Sequence, residues 1–243
     1  MLAVCFQGLV MKSMAQKRTT SVQQAWFGYL NQTRLSDKWG VWFDGHIRTK
    51  QRLFNNLSTT IIRPGITYYF NNDSRFTVGY AWINNFPAEG HANISRPEHR
   101  IWQQYQWMTR YQRLRTSQYV RFEQRFRHKI LNNDALADGY NFTYRLRYNL
   151  LLTIPIGKIE GNNAKWSGMI NNETMVGFGK EVVNNYFDQN RVLLGFIYQT
   201  TKTDNIQFGY LNVFQQLPQG NQYRATHGFR INYVHNLDLR RSK

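Results

Sequence analysis

The sequence predicts an all-β fold, namely an antiparallel transmembrane β-barrel of about 12 strands, with about ten as the alternative. Three observations predict it. Apolar and polar side chains alternate with a period of two. The alternating stretches are longer than the strands of typical soluble proteins. Charged residues occupy the face opposite the aromatic one, as in a barrel with a lipid-facing wall and a polar, Arg-rich lumen.

Residues 140–153 show the clearest alternation. The even positions are all apolar or aromatic and the odd ones are mostly polar, with Tyr140, Phe142, Tyr144, Leu146, Tyr148, Leu150 and Leu152 facing away from Asn141, Thr143, Arg145, Arg147, Asn149, Leu151 and Thr153. A strand that crosses a bilayer at a tilt needs roughly nine to eleven residues. Residues 118–130 repeat the pattern, with Arg121, Glu123, Arg125 and Arg127 opposite Val120, Phe122 and Phe126.

A soluble β-sandwich is the alternative fold for many regular strands. It would bury the Phe and Tyr side chains and leave the polar half of each strand in water. The high density of Arg on that half, with few acidic residues and no second apolar pattern, favours the membrane barrel instead.

The chain is strongly basic, with 31 Lys and Arg against 14 Asp and Glu and a formal charge of +17. Such a charge often indicates nucleic-acid binding. Here much of the Arg alternates along strands rather than clustering, so no nucleic-acid partner is expected. A basic surface also suits anionic headgroups. The predicted partners are outer-membrane lipids including lipopolysaccharide, and other envelope proteins remain an open alternative.

The N-terminal residues resemble a secretory signal peptide. An apolar run from Leu2 to Met11 precedes Ser13-Met14-Ala15, whose small residues suit cleavage after Ala15. Residues 1–15 are therefore predicted to be the signal peptide and residues 16–243 the barrel. A disordered tail is the alternative, and a lipoprotein site at Cys5 is weaker because the residue before it is not small. Cys5 is the only cysteine, so an intramolecular disulfide is excluded.

Strand counting leaves one ambiguity. Alternating segments number about eleven, whereas bacterial barrels have an even number of strands. The expectation of twelve assumes a strand missed near Pro64, which suggests a local break, or in the loop expected at residues 155–168. Residues 84–99 form the longest expected loop.

A lumenal charge network is the predicted site. Its members are Asp44, His46, Arg48, Arg121, Glu123, Arg125, Arg145, Arg147 and Glu173, and the wider inward set adds Arg63, Arg110, Arg127, Arg191, Arg224 and Arg230. Adjacent strands lie about 4.8 Å apart, so Glu123 and Arg125 would reach Arg145 and Arg147. Two interpretations stay open: a structural network that stiffens the barrel, or a lumen that favours anions because Arg outnumbers the acids.

An enzyme in the barrel wall is less well supported. A lipid hydrolase would need a Ser nucleophile beside a His base at one rim. None of Ser58, Ser117 and Ser167 has a His at the required spacing. The spacing of the His residues predicts no metal site, and no cofactor motif occurs, so no catalytic residue, metal or cofactor is predicted.

Several stretches together resemble a known family. They are the stretch from Trp26 to Arg48, Glu98-His99-Arg100, Arg121 to Arg125, Tyr144 to Tyr148, and Glu173. In order and spacing they resemble the outer-membrane β-barrel family catalogued as domain of unknown function 2490, from Gram-negative bacteria. The resemblance implies an outer-membrane location and a polar lumen, and it implies no activity.

The predicted function is that of a non-enzymatic outer-membrane β-barrel in a Gram-negative bacterium, either structural or a component of an envelope complex. The alternative is a small, porin-like pore that favours anions. The second alternative is a hydrolase that modifies lipid or lipopolysaccharide.

Overall fold

A computed structural model describes residues 17–50, 53–54, 56–87, 93–160 and 163–240. The predicted signal peptide, residues 1–15, lies outside these residues. The described chain forms eleven strands: β1 (Arg18–Arg34), β2 (Trp39–Thr49), β3 (Leu57–Tyr69), β4 (Ser74–Asn85), β5 (Arg96–Arg110), β6 (Arg115–Ile130), β7 (Leu136–Glu160), β8 (Asn163–Phe178), β9 (Phe187–Gln199), β10 (Asp204–Gln216) and β11 (Gln222–Asp238). None of the described residues belongs to a helix long and apolar enough to cross a bilayer.

The strands close into one barrel in which each pairs with its neighbours in sequence. Consecutive strands are antiparallel, whereas β1 and β11 close the barrel in parallel, from Arg18↔Gln222 to Arg34↔Asp238. Eleven alternating directions leave the first and last strands pointing the same way. The expectation of twelve strands, or of ten, was therefore wrong for the described residues, because it assumed antiparallel closure.

Connections differ in length between the two ends of the barrel. Turns 35–38, 70–73, 111–114 and 200–203 have four residues each and lie at one end, here called the turn end. The opposite end, here called the loop end, carries connections 50–56, 86–95, 131–135, 179–186 and 217–221 together with the start of β1.

Pro64 does not interrupt its strand. It lies within β3 and is aligned with Phe43 of β2. On its other side the ladder to β4 skips Arg63 and Pro64, between the pairs Ile62↔Trp82 and Gly65↔Gly79. Proline has no backbone N–H to donate, which accounts for the interruption of this one ladder. The pairs on either side of it keep the same register, so the strand continues.

Two expected loops are strands in the structure. Residues 155–160 and 163–168 belong to β7 and β8, where a register shift between Ile156 and Ile159 takes up Gly157, whose φ is 81°. A bulge of this kind lets pairing resume beyond the irregular residues. Likewise β5 begins at Arg96, so the last residues of the expected 84–99 loop are already paired with β4.

The interior contains two apolar clusters besides its charges. One consists of Trp42, Ile61, Ala81, Ile83 and Trp102, and the other of Trp26, Met169, Leu193, Leu211 and Val213. The interior of a small barrel is filled by side chains, and apolar ones fill it without needing hydrogen-bond partners. The lumen is therefore not polar throughout, which differs from the sequence-based expectation.

A pair of glycines makes room for the largest of these side chains. Trp102 is completely buried, and Gly79 lies beside it in the ladder and opposite Gly65. A Cβ atom at Gly79 would lie 2.5 Å from Cζ2 of Trp102 and would also clash with the carbonyl oxygen of Pro64. The ring can occupy this position only because both residues beneath it lack side chains.

We expect Gly79→Ala to destabilise the barrel by about 1–3 kcal/mol, because the added methyl group must displace the Trp102 ring or the backbone. Urea unfolding of the detergent-folded protein, followed by Trp fluorescence, measures this change. Gly45→Ala is the matched control, since the nearest atom to its Cβ would be 3.9 Å away. Equal stability of the two variants would contradict the packing argument.

Candidate functional site: the lumenal charge network

The barrel encloses a cavity of about 860 Å³ that is lined by side chains from all eleven strands. Its charged groups come from alternate positions, because the period of a strand sends every second side chain inward. Most of the buried carboxylates and guanidinium groups meet on β5 to β9, and a smaller group lies on β2 and β3.

Glu123 of β6 is the centre of the larger group. Its side chain is 1% exposed. Oε1 lies 2.8 Å from Nη2 of Arg147, and Oε2 lies 3.2 Å from Nη1 of Arg100. Arg145, directly opposite on β7, is more distant at 3.9 Å. One buried carboxylate therefore holds arginines from both neighbouring strands.

Further carboxylates extend the network in both directions. Glu98 of β5 accepts from Nε of Arg100 at 2.8 Å and from Nε of Arg125 at 2.6 Å. Arg125 also lies 3.8 Å from Asp188 of β9, which is paired with Arg145. Arg125 and Arg100 thus each bridge two carboxylates, so that Asp188, Glu98 and Glu123 form one chain of ion pairs.

Glu173 of β8 ends this chain on the other side. Its Oε1 lies 3.4 Å from Nη1 of Arg147, and its Oε2 lies 3.0 Å from Nη1 of Arg191. The hydroxyl of Tyr119 donates a further hydrogen bond to Oε1. Arg147 is consequently the bridge between Glu123 and Glu173, and the network ties five consecutive strands together.

Asp44 forms the smaller group on β2 and β3. It is completely buried and accepts from Nε of Arg63 at 2.7 Å and from Nε1 of Trp42 at 2.7 Å. Nε2 of His46 lies 3.2 Å from the same carboxylate. Asp44 and Arg63 are opposite each other in the ladder, which places the pair without any help from a loop.

The structure separates the nine predicted network residues into three sets. Glu123, Arg125, Arg145, Arg147 and Glu173 lie in the large network, and Asp44 and His46 lie in the small group. Arg48 and Arg121 instead stack on aromatic rings, with their guanidinium carbons 3.8 Å from the Trp26 ring and 4.5 Å from the Trp102 ring.

The wider inward set divides in a similar way. Arg63 and Arg191 form ion pairs, while Arg224 and Arg230 line the main cavity. Arg127 lines a second, smaller cavity of about 100 Å³ near the loop end. Arg110 does not lie inside the lumen. Its side chain is 61% exposed at the turn end, where Nη2 lies 3.6 Å from Oδ1 of Asp73.

Sequence reasoning missed three members of the network: Glu98, Arg100 and Asp188. Glu98 and Arg100 share the parity of Gln104 and Gln106, so extending β5 backward at period two would have found them. Asp188 gives no such signal. A register shift between Met175 and Val176 leaves Asp188 and Gln189 buried side by side, which breaks the alternation of β9.

The outward histidines are paired with tyrosines. His99 is hydrogen bonded to Tyr80, and Nδ1 of His227 lies 2.6 Å from the hydroxyl of Tyr210. Within the described part of the chain, no Ser hydroxyl is hydrogen bonded to a His. The same residues contain no group of three or more His, Cys, Asp or Glu side chains that could hold a metal ion. The geometry therefore supplies buried charge but no assembled nucleophile and base.

We expect Glu123→Gln to destabilise the barrel by about 3–5 kcal/mol, because Arg100 and Arg147 would lose a buried carboxylate. Chemical unfolding in detergent micelles gives the difference in free energy.

Asp73→Asn is the matched control for this substitution, since it removes an exposed partner of Arg110 at the rim. Its expected cost is about 0–1 kcal/mol. A loss in Glu123→Gln no larger than in the control would show that the network does not stabilise the fold.

Comparison with known proteins identifies a family. The model of the family described as "Protein of unknown function (DUF2490)" matches residues 23–224, from β1 to β11, which is more than half of the 243 residues. No curated protein and no solved structure matches the chain significantly. The match confirms the resemblance found in the sequence, and the chain belongs to this family of proteins of unknown function.

Proposed function

We propose that the protein is a non-enzymatic outer-membrane β-barrel of a Gram-negative bacterium, with a structural role in the envelope, alone or within a complex. The observation that carries this proposal is the inverted distribution of polarity. Asp44, Glu98 and Glu123 are at most 2% exposed. Large apolar side chains cover the outside, among them Ile66 at 61% and Phe196 at 48% exposure.

This distribution suits lipid rather than water. In soluble proteins charged side chains are almost never fully buried unless they are paired, and apolar patches are limited in size. A continuous apolar wall around a polar interior is the arrangement of transmembrane barrels. Outer-membrane lipids, including lipopolysaccharide, are accordingly the proposed partners of the wall.

Aromatic residues near both ends support the same placement. Near the turn end, the exposed or half-buried rings of Trp39, Tyr68, Phe70, Tyr105 and Trp107 follow one another at centroid distances of 5.1 to 6.0 Å. Near the loop end, Tyr80, His99, Tyr140 and His128 form a similar row. Aromatic girdles of this kind mark the two membrane interfaces of barrels. Short turns are typical of the periplasmic side, so the loop end would face outward.

A structural role is favoured by the ion-pair network. Arg125, Arg100 and Arg147 each bridge two carboxylates, which links β5 to β9 along one side of the lumen. An arginine that is paired with two carboxylates has little freedom to move. The network therefore stiffens the barrel wall and narrows the lumen. No observation favours the hydrolase alternative, because no Ser is hydrogen bonded to a His among the residues described.

A small pore that favours anions is the second candidate. Arg48, Arg121 and Arg230 line the cavity without a carboxylate partner among the described residues, so the interior carries a surplus of positive charge. Rings of Arg and Lys select for anions in known pores.

Conductance across a planar lipid bilayer separates the two candidates. The structural role predicts no resolvable steps in current, because inward side chains narrow the interior of so small a barrel. Discrete steps with a reversal potential set by the anion would favour the pore.

The proposed membrane location is tested by placing a charged residue on the outer wall of the barrel. We expect Leu194→Arg, in the middle of β9 and 46% exposed, to destabilise the barrel in phospholipid vesicles by about 2–4 kcal/mol. The reason is that the guanidinium would lie in hydrocarbon. Urea titration of the vesicle-inserted protein measures it.

Leu131→Arg is the matched control, because Leu131 is 68% exposed in the 131–135 connection at the loop end. We expect a change of about 0–1 kcal/mol there. If Leu194→Arg were as mild as Leu131→Arg, the outer wall would not be buried in lipid and the proposal would fail.

A further inference from the structure

Arg48, Arg121 and Arg230 line the lumen without a carboxylate partner among the described residues. Of these, Arg121 donates from Nε to Gln104, whereas Arg48 and Arg230 do not use Nε in this way. The Nε atoms of Arg48 and Arg230 are buried and have no hydrogen-bond partner, and neither side chain is paired with a carboxylate in the described ranges. Their neighbours Arg63 and Arg191 are paired, with Asp44 and Glu173 respectively. A buried charge without a partner is unfavourable, so these two groups call for an explanation.

The two arginines flank one tryptophan in a single row of the barrel. Trp26 of β1 is aligned with Arg48 of β2 on one side and with Arg230 of β11 on the other. Because adjacent strands are about 4.8 Å apart, the two backbones are separated by roughly 10 Å. All three side chains line the cavity, so both guanidinium groups can approach one small ligand.

Trp26 holds part of this group in place. The guanidinium carbon of Arg48 lies 3.8 Å from the centre of the Trp26 ring, and that of Arg191 lies 5.0 Å from it. Stacking orients a guanidinium and leaves its N–H groups free to donate in the plane. The charges of Arg191, Arg230 and Arg63 all act on Arg48, so the four groups share one region of the lumen.

The adjacent row of the barrel is polar as well. There Gly28 is aligned with His46 and Asn232. A Cβ atom at Gly28 would clash with both side chains, lying 2.5 Å from Nδ1 of His46, so they meet above the glycine. Asn232 is 2% exposed and its Oδ1 has no hydrogen-bond partner within the described part of the chain. An amide oxygen accepts hydrogen bonds, so it would not bind a phosphate oxygen, and the contacts with an anion are left to the two arginines.

We propose that Arg48 and Arg230 form a lumenal binding site for a phosphate group. The charge supports this ligand class. Arg63 is paired with Asp44, and Arg191 shares Glu173 with Arg147, so at least two positive charges remain in this region. A phosphate monoester carries about −1.5 to −2 at neutral pH, and its oxygens match the forked geometry of guanidinium groups.

The cavity leaves room for more than the phosphate itself. Its volume of about 860 Å³ falls in the range of about 300–1,000 Å³ that is usual for sites of small organic ligands. Free inorganic phosphate and the phosphoryl group of a small solute are therefore two sources of the same chemistry. The inference goes beyond the structural role, and it does not depend on the barrel conducting ions.

The test is isothermal titration calorimetry on the detergent-folded barrel, with inorganic phosphate as the probe in Tris chloride at fixed ionic strength. We expect saturable binding that weakens at least tenfold in Arg48→Gln and in Arg230→Gln. Arg110→Gln is the matched control and should bind like the parent, because Arg110 is exposed at the turn end.

A second measurement separates binding from folding. Without phosphate, Arg48→Gln and Arg230→Gln should raise the urea midpoint, since each removes an unpaired buried charge. Saturating phosphate should raise the midpoint of the parent protein and not that of either variant. A lowered midpoint in both variants, with unchanged phosphate affinity, would overturn the proposal and make the two arginines purely structural.

Glycerol 3-phosphate in a parallel titration distinguishes the two sources. Tighter binding than inorganic phosphate would assign the site to an organic phosphate, and weaker binding to the free anion. Absence of saturable heat with both probes, or equal binding by all three Arg variants, would overturn the proposal. Since detergent-folded protein is used, this failure is distinct from failure of membrane insertion, which the Leu194→Arg comparison measures.

Discussion

The buried ion pairs around Glu123 are the interaction on which the rest of this barrel depends. The outer wall is apolar, so the charges of the inward face have nowhere else to be neutralised. Glu98, Glu123 and Glu173 each pair with two or more arginines, and in this way a few acids offset a larger number of guanidinium groups. Because a buried charge is tolerated only when it is paired, the network constrains β5 to β9 to their observed register.

The opposite side of the lumen follows from the same constraint. On β10, β11 and β1 no carboxylate among the described residues points deep into the interior. There the guanidinium groups of Arg48 and Arg191 stack on the ring of Trp26. Arg121 stacks on the ring of Trp102 in the same way. Stacking orients a guanidinium without neutralising it. The imbalance between the two sides explains why the surplus of positive charge, and with it the proposed phosphate site, lies beside β1.

The sequence predicted those features that depend on alternation. The closed all-β fold and the parity of Arg121 to Arg127 and of Arg145 to Arg147 follow from a period of two, which local sequence carries directly. It could not predict features that depend on three-dimensional closure. The parallel pairing of β1 with β11 joins distant residues, and the bulge that turns Asp188 inward has no local signature. The parity of β5 turns Trp102 inward, but the space for its ring comes from Gly65 and Gly79 on other strands, which local sequence does not reveal.

The most direct test of the central claim, a closed barrel with charges inside and lipid outside, is heat-modifiable gel migration of the protein from an isolated outer-membrane fraction. In SDS without boiling, a closed barrel keeps its hydrogen-bonded wall and runs at a different apparent size than after boiling. The closed barrel and the proposed function together predict this shift and recovery of the protein in the outer-membrane fraction. Recovery of a soluble protein with no shift would contradict the account, because the apolar wall could not then face lipid.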